Sequence, residues 1–388
     1  MSDTPTYPID FYSNEVVLDP HPHYRAIREL GPAVWLPKNE LWAIGRYDDV
    51  RAALRADETL ISGKGVAANT YMNNDRQVAT LVSDGELHVT YRRLVMKPIT
   101  APEMKTLRAR ILATAETLVD ELLERRTFDG MTDLAQVIPV SIVSHLVGLP
   151  ENGRENMLKW AAATFDTLGS LNARGRAAIP AVQESFRYTT GLRREDVDPA
   201  GWATRLFQAA DDGVIDASVV PGLLQDYIAP SLDTAIFAIG HMLHLLGRHP
   251  EQWQAIRADP KLIPNAINEA LRCEAPIRAF TRYATEAFDV GGQVVPKDSR
   301  VVVIYASANR DDRHFPDPDR FDIFRNASDH FGFGHGVHTC LGVHLARLEL
   351  STLFAVLAER VESIEVGEPT YLLNNVLRGF TALPVTLR

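Results

Sequence analysis

Cys340 lies in the segment Phe333-Gly334-His335-Gly336-Val337-His338-Thr339-Cys340-Leu341-Gly342, directly ahead of a stretch patterned as a helix. A cysteine there meets unbonded backbone N–H groups and the positive end of a helix dipole. Both favour the thiolate, the form that ligates metals and attacks electrophiles. Gly334 and Gly336 carry no side chain, so the backbone can pass close to a flat ligand, and Gly342 leaves room where the helix approaches it. A buried structural cysteine after a loop is the plainer reading of the same residues. The only other cysteine is Cys273, and no CxxC pair exists to build a zinc site.

Three other groupings could carry chemistry. Asp233-Thr234 puts an acid beside an alcohol in a long apolar stretch. Glu269 and Arg272, three apart on a helix, share a face and can pair, as surface residues commonly do. His88 and Arg92, four apart, also share a face, either as joint donors or as an ordinary solvated side of a helix.

The Cys340 segment resembles the haem-binding loop of the cytochrome P450 family, with Phe333, Gly334, Gly336, the basic His338, Cys340 and Gly342 all in the family's places. The resemblance runs from the strand at Trp42 to the turn Leu377-Arg378-Gly379-Phe380. It implies a mainly α fold with small β-sheets, and haem b held between the long central helix and the Cys-loop helix. Cys340 would be the sole protein ligand of the iron. Glu269 and Arg272 would form a buried pair bracing the haem side, joined by Arg320, which sits beside Phe321 in the family's Pro-x-Arg-Phe place. His88, Arg92, Arg282 and His338 would bind the haem propionates, four donors for two carboxylates. Asp233 and Thr234 would deliver protons to dioxygen at the iron. Around that pair the chain departs from the family: Pro230-Ser231 stand where Ala-Gly is common, and Ala235 where a second Thr is common. The reaction class is unaffected by these changes, although the water network loses a hydroxyl.

The activity so implied is a haem-thiolate monooxygenase using dioxygen and two electrons. Thiolate ligation favours O–O cleavage. No flavin or iron–sulfur segment is present, so a separate ferredoxin and ferredoxin reductase are implied, and Arg92, Arg93 and Lys97 would offer them a basic patch. A peroxide-driven peroxygenase would lack the Asp233-Thr234 pair. A non-catalytic haem sensor or binding module would show no turnover with any electron donor. The substrate would be small and aromatic, hydroxylated or O-dealkylated, in a pocket lined by Val66, Asp226, Ala229, Pro230, Phe280 and Leu377. Asp226 precedes Pro230 by four residues and Thr234 by eight, which places all three near one face. It would favour a phenol or weak base over a benzoate, unless it pairs with Lys64 instead.

These residues need elements to hold them. A strand-like run spans 41–47, and Asp48 is placed to cap a helix over 50–55. A loop over 62–76 is long enough to suggest a functional role, with a mobile surface excursion as the alternative. An amphipathic helix is predicted over 102–126, with Leu107, Ile111, Leu112, Leu118, Leu122 and Leu123 on its apolar side. The longest helix is predicted over 219–248, about 45 Å at the standard rise. Ser218 would cap it, Pro221 would fall in its first turn and Pro230 would kink it. A strand at 300–304 and a helix at 341–359 follow. No repeat or linker divides the chain, so one domain over 1–388 is expected.

Composition narrows the partners. The net charge is -10 over 388 residues, unlike the basic face of a nucleic-acid binder, so no nucleic-acid partner is expected. Two cysteines make no disulfide framework and suggest a reducing compartment. The start, Met1-Ser2-Asp3-Thr4-Pro5, has neither the basic nor the apolar region of a signal peptide. The apolar runs are broken by Asp, Gln, His or Pro short of the ~20 residues a span needs. A cytoplasmic protein without membrane contact is expected.

Overall fold

A computed structural model of the chain describes residues 4–73, 76–99 and 101–388. The sequence features at residues 1–3, and the part of the 62–76 loop at 74 and 75, lie outside the described residues.

Helices make up most of the molecule, and a small five-stranded sheet lies to one side. The strands run in the order Val34–Leu36, Leu41–Ile44, Arg300–Val303, Phe280–Ala284, Leu60–Ile61. Leu41–Ile44 pairs parallel to Arg300–Val303, with Trp42 opposite Val301, and the other pairings are antiparallel. Val301, Val302 and Val303 are all buried, as expected of a central strand covered on both faces. The helix after the second strand is Tyr47–Arg55, and it starts earlier than Asp48 could cap. Its cap comes from far along the chain: the Tyr47 N–H donates to Asp311 at 2.8 Å.

The helix Ala101–Arg125 packs along Val343–Arg360, the helix that follows the cysteine loop. Leu107, Ile111, Leu118 and Leu122 enter the core, whereas Leu112 is 40% exposed. Periodicity put Leu112 on the apolar side, but it lies one residue past Ile111 and so about 100° further round the helix.

The expected central helix is two helices. Val220–Ile228 and Asp233–Arg248 are separated by a break at 229–232. Pro230 lacks an N–H and its ring opposes the carbonyl four residues back, so continuous helical bonding fails there. Hydroxyl groups take up carbonyls that the break leaves free: Ser231 Oγ donates to Tyr227, and Thr234 Oγ1 donates to Pro230 at 2.9 Å. At the start, a 3-10 turn at Ala217–Val219 precedes the helix, and Asp216, not Ser218, caps that turn.

Two helical stretches, Gly130–Val147 and Ala217–Arg248, do reach the length and hydropathy of a membrane span. Their apolar windows are 56% and 67% buried against other parts of the chain, so much of that apolar surface is spent on the core.

Two further helices, Glu151–Leu168 and Ala173–Gly191, pack on each other. The 62–73 stretch is tied to their connection: Asn69 Nδ2 donates to the carbonyls of Thr167 at 2.7 Å and Gly169 at 2.6 Å. Thr281 anchors the same stretch from the sheet, through Val66 O at 3.1 Å and Ala67 O at 2.8 Å.

Candidate active site

The cysteine loop is closed by its own backbone. The Cys340 N–H donates to Phe333 O at 2.8 Å, and the Thr339 N–H to Gly336 O at 3.1 Å. Gly334 and Gly336 have φ of 69° and 71°, a region that disfavours other residues. Gly336 answers to a second demand: a Cβ there would stand 2.5 Å from the Leu54 carbonyl. Its lack of a side chain therefore serves packing against the helix Tyr47–Arg55. The following helix begins at Val343 with Gly342 as its cap, so Cys340 stands three residues ahead of it.

Cys340 is exposed, yet protein crowds it enough that burial pushes its thiol up, against the pull of the Gly342 N–H and the Arg92 guanidinium. Helix geometry alone does not turn this thiol into a thiolate, as the sequence suggested; a bound cation would have to complete the task. Cys273 is a different case. It is buried, accepts from Arg272 at 3.0 Å, and is pushed up to about 12 by burial.

Basic groups gather beside the loop. His88 sets Nδ1 3.0 Å from Thr80 O and Nε2 3.1 Å from Val337 O. Its ring lies 4.2 Å from that of His338. Arg92 donates to Thr339 O at 2.7 Å, and the buried Arg282 donates to Thr281 O at 2.9 Å. Burial, then Arg282, His88 and Arg92, drive the His338 imidazolium down to about 2. The charged groups acting on His338 among the described residues are basic, an environment that favours entry of anions,. Two carboxylates would suit it. Among the described residues no three His, Cys, Asp or Glu side chains converge to hold a metal. A metal at Cys340 must therefore bring most of its donors with it. A porphyrin with two propionates meets both conditions, and the residues present fit it.

Asp233 opens the second central helix, directly at the break, and is buried with Oδ2 unpartnered among the described residues. Burial alone pushes its carboxyl up to about 7. Thr234 follows it, its hydroxyl turned onto Pro230 O.

The residues expected to line the pocket separate into three groups. Pro230 is exposed, Phe280 is half-buried with its ring 6.2 Å edge-on from Tyr305, and Ala229 keeps 8% of its surface. Val66 and Leu377, at 1% and 0%, are enclosed and back the wall. Asp226 has a different occupation: its carboxylate accepts the N–H groups of Thr80, at 2.8 Å, and Leu81, and burial pushes it up to about 6. Lys64 lies elsewhere, its ammonium 4.5 Å over the Tyr283 ring. The Asp226 carboxylate is engaged by Thr80 rather than by Lys64.

Glu269 and Arg272 do pair in full burial, but the third member is Arg325, whose Nε donates to Glu269 Oε1 at 3.2 Å. Arg320 contributes only its carbonyl to Arg272, at 3.2 Å, while its side chain turns outward to Asp322 at 2.9 Å. The loop holds Arg310, Arg313, Arg320 and Arg325, and spacing alone did not distinguish them. Sequence reading also passed over Glu349 on the helix Val343–Arg360. It is buried with Oε1 unpartnered among the described residues and is pushed up to about 8. A single acid among the apolar residues of this helix carries no mark of such burial.

The family profile described as Cytochrome P450 matches residues 223–362. The chain is 34% identical over 385 residues to cytochrome P450 CYP199A2 of Rhodopseudomonas palustris, covering 98% of this chain and 93% of that one. It is 31% identical over 407 residues to the cytochrome P450 monooxygenase PikC of Streptomyces venezuelae, covering 99% and 95%. The solved structure of cytochrome P450 CYP109Q5 from Chondromyces apiculatus superposes with a TM-score of 0.82 at 28% identity, over 98% of each chain.

Proposed function

The chain belongs to the cytochrome P450 family, and on that premise we propose that it uses dioxygen and electrons from a separate ferredoxin and ferredoxin reductase to hydroxylate or O-dealkylate a small aromatic substrate. It is a P450 oxidoreductase, and its cofactor is haem b. The haem, when bound, supplies dioxygen activation, which a thiolate ligand promotes. The chain supplies a ligand, charge neutralisation, a proton route and a shaped pocket.

Cys340 is the metal ligand in this reading. Phe333, Gly334, Gly336 and Gly342 shape its loop, and His88, Arg92, Arg282 and His338 receive the propionates. Asp233, raised to about 7, can both hold and release a proton near neutral pH, as a general acid must. Thr234 stands beside it to pass that proton on. Ala229, Pro230 and Phe280 meet the substrate, while Val66 and Leu377 support them from behind. With its carboxylate committed to Thr80 and Leu81, Asp226 gives no reason to favour phenols over benzoates. Titrating small aromatics of both kinds for a spin-state shift would identify the substrate class.

Arg93 and Lys97 are exposed, and with His344 and Arg347 they line a cleft of about 1040 Å³ that Leu94, Met104 and Leu348 make apolar. Arg92 faces inward and is excluded from this patch. A basic rim around an apolar floor suits an acidic ferredoxin. A cytoplasmic site of action completes the reading.

The observation that carries the proposal is the convergence of four basic groups, His88, Arg92, Arg282 and His338, beside the cysteine loop. The test is reconstitution with a ferredoxin, its reductase and dioxygen on any aromatic that gives a spin-state shift. Formation of an oxygenated product supports the reading. Ligand binding without turnover by any donor would make the chain a haem-binding module.

A further inference from the structure

Gly222 and Asp226, four residues apart, share a face of the helix Val220–Ile228,. Both hold the same piece of chain. The Val78 carbonyl occupies the place a Cβ on Gly222 would need. One helical turn further on, the Asp226 carboxylate accepts the N–H groups of Thr80 and Leu81. The segment 78–82 is therefore fixed to the helix at two points, and the helix breaks at 229–232, around Pro230, immediately beyond them.

Thr80–Val82 is a 3-10 turn whose first N–H groups need acceptors. Its own cap residue is Ala79, which has no side-chain acceptor. Asp226 supplies the missing cap from a distant part of the chain. On the other side of the turn, Thr80 O accepts from Ser83 Oγ at 3.2 Å and faces His88 Nδ1 at 3.0 Å. One residue thus stands between the central helix and the basic cluster beside the cysteine loop. Asp226 is half-buried, and taking even part of a carboxylate out of water costs more than burying an apolar side chain of similar size, so the packing of this face does not by itself account for an acid.

We propose that Asp226 is a positioning residue that fixes the 78–82 segment as a wall of the substrate pocket, so that the fit of an aromatic ligand over the haem depends on the Asp226–Thr80 hydrogen bond. This rests on the haem-pocket reading above. Leu81 and Val82, half-buried in this turn, are the side chains whose placement the bond controls.

The test uses ferric holoenzyme and two probes, imidazole and 4-phenylimidazole, titrated optically. Imidazole reports on access to the iron, and the phenyl group also samples the wall. Asp226→Ala should weaken 4-phenylimidazole about tenfold, the scale of a lost hydrogen bond to a charged group, and leave imidazole within about twofold. Asp226→Asn keeps an oxygen acceptor and should recover most of the loss. Thr80→Pro removes the N–H at the first position of a helical turn, where proline is tolerated. It should reproduce the alanine effect, and the double variant should be no worse than either single one. If Asp226→Ala does not fold, Thr80→Pro alone carries the test, and the affinity ratio must still fall. An unchanged ratio, an equal loss for both probes, or additive effects in the double variant would overturn the proposal. No spectral shift with imidazole on the unmodified protein would instead contradict the haem-pocket reading.

Discussion

The Glu269 carboxylate takes two parallel hydrogen bonds from the Arg272 guanidinium, at 2.7 and 2.8 Å, and neither side chain touches solvent. Removing one partner of such a pair strands the other charge in the interior, at a cost of about 3–5 kcal/mol. Glu269→Gln and Arg272→Ala should both lose stability on that scale in urea denaturation. Arg325→Ala should cost about 1–3 kcal/mol, since its guanidinium also serves Glu269. Arg320→Ala should stay within about 0.5 kcal/mol, as an exposed pair contributes little. A larger loss for Arg320 than for Arg325 would reverse the assignment made here.

Asp233 should make stability depend on pH. Burial holds its folded value up at about 7 against an ordinary 3.8. The unfolded chain therefore gives up this proton near pH 4, while the folded chain keeps it to about pH 7. Over that window the unfolded state binds fewer protons, so the stability of the native protein falls as pH rises and levels off above it. Asp233→Asn escapes this loss. It should be about as stable as the parent near pH 4 and more stable at pH 8, by on the order of 1–3 kcal/mol. A gap that does not change with pH would mean that Asp233 is not held protonated.

Thr234→Ala should keep haem binding and lose coupling. Less product should form for each electron donor oxidised, and more hydrogen peroxide, because the second proton arrives less reliably. Thr234→Ser retains a hydroxyl and should recover coupling. Unchanged product yield in the alanine variant would remove Thr234 from the proton route.

The basic rim gives a kinetic prediction. Charge reversal at Arg93 or Lys97 should slow reduction by a ferredoxin, more at low ionic strength than at high, because exposed charges are screened within about 10 Å at 0.1 M salt. The same change at an exposed arginine away from the rim, such as Arg193, should have no such effect. A salt-independent loss at Arg93 would place the partner elsewhere.

Much of the candidate site was legible because its signals are local. Cys340, Gly334, Gly336 and His338 lie within seven residues, and the loop folds on its own backbone bonds. Asp233 and Thr234 are adjacent, and Pro230 announces the break ahead of them. The relationships that were not legible are long-range and set by tertiary packing. Asp311 caps the helix at Tyr47, Asp226 caps the turn at Thr80, and Arg325 rather than Arg320 reaches Glu269. In each case the residue type was visible, but the partner sits 264, 146 or 56 positions away in sequence. The burial of Glu349 belongs with them, since it follows from how its helix packs into the core and not from its neighbours in the chain.

The most direct test of the central claim is the absorption spectrum of the haem-loaded protein reduced under carbon monoxide. Cys340 as the thiolate ligand predicts the red-shifted Soret band that marks sulfur ligation, and its replacement in Cys340→His by the band of a histidine-ligated haem, with loss of monooxygenase turnover. A histidine-type band in the unmodified protein, or a Cys340→His variant that keeps both the sulfur-type band and normal turnover, would contradict the account.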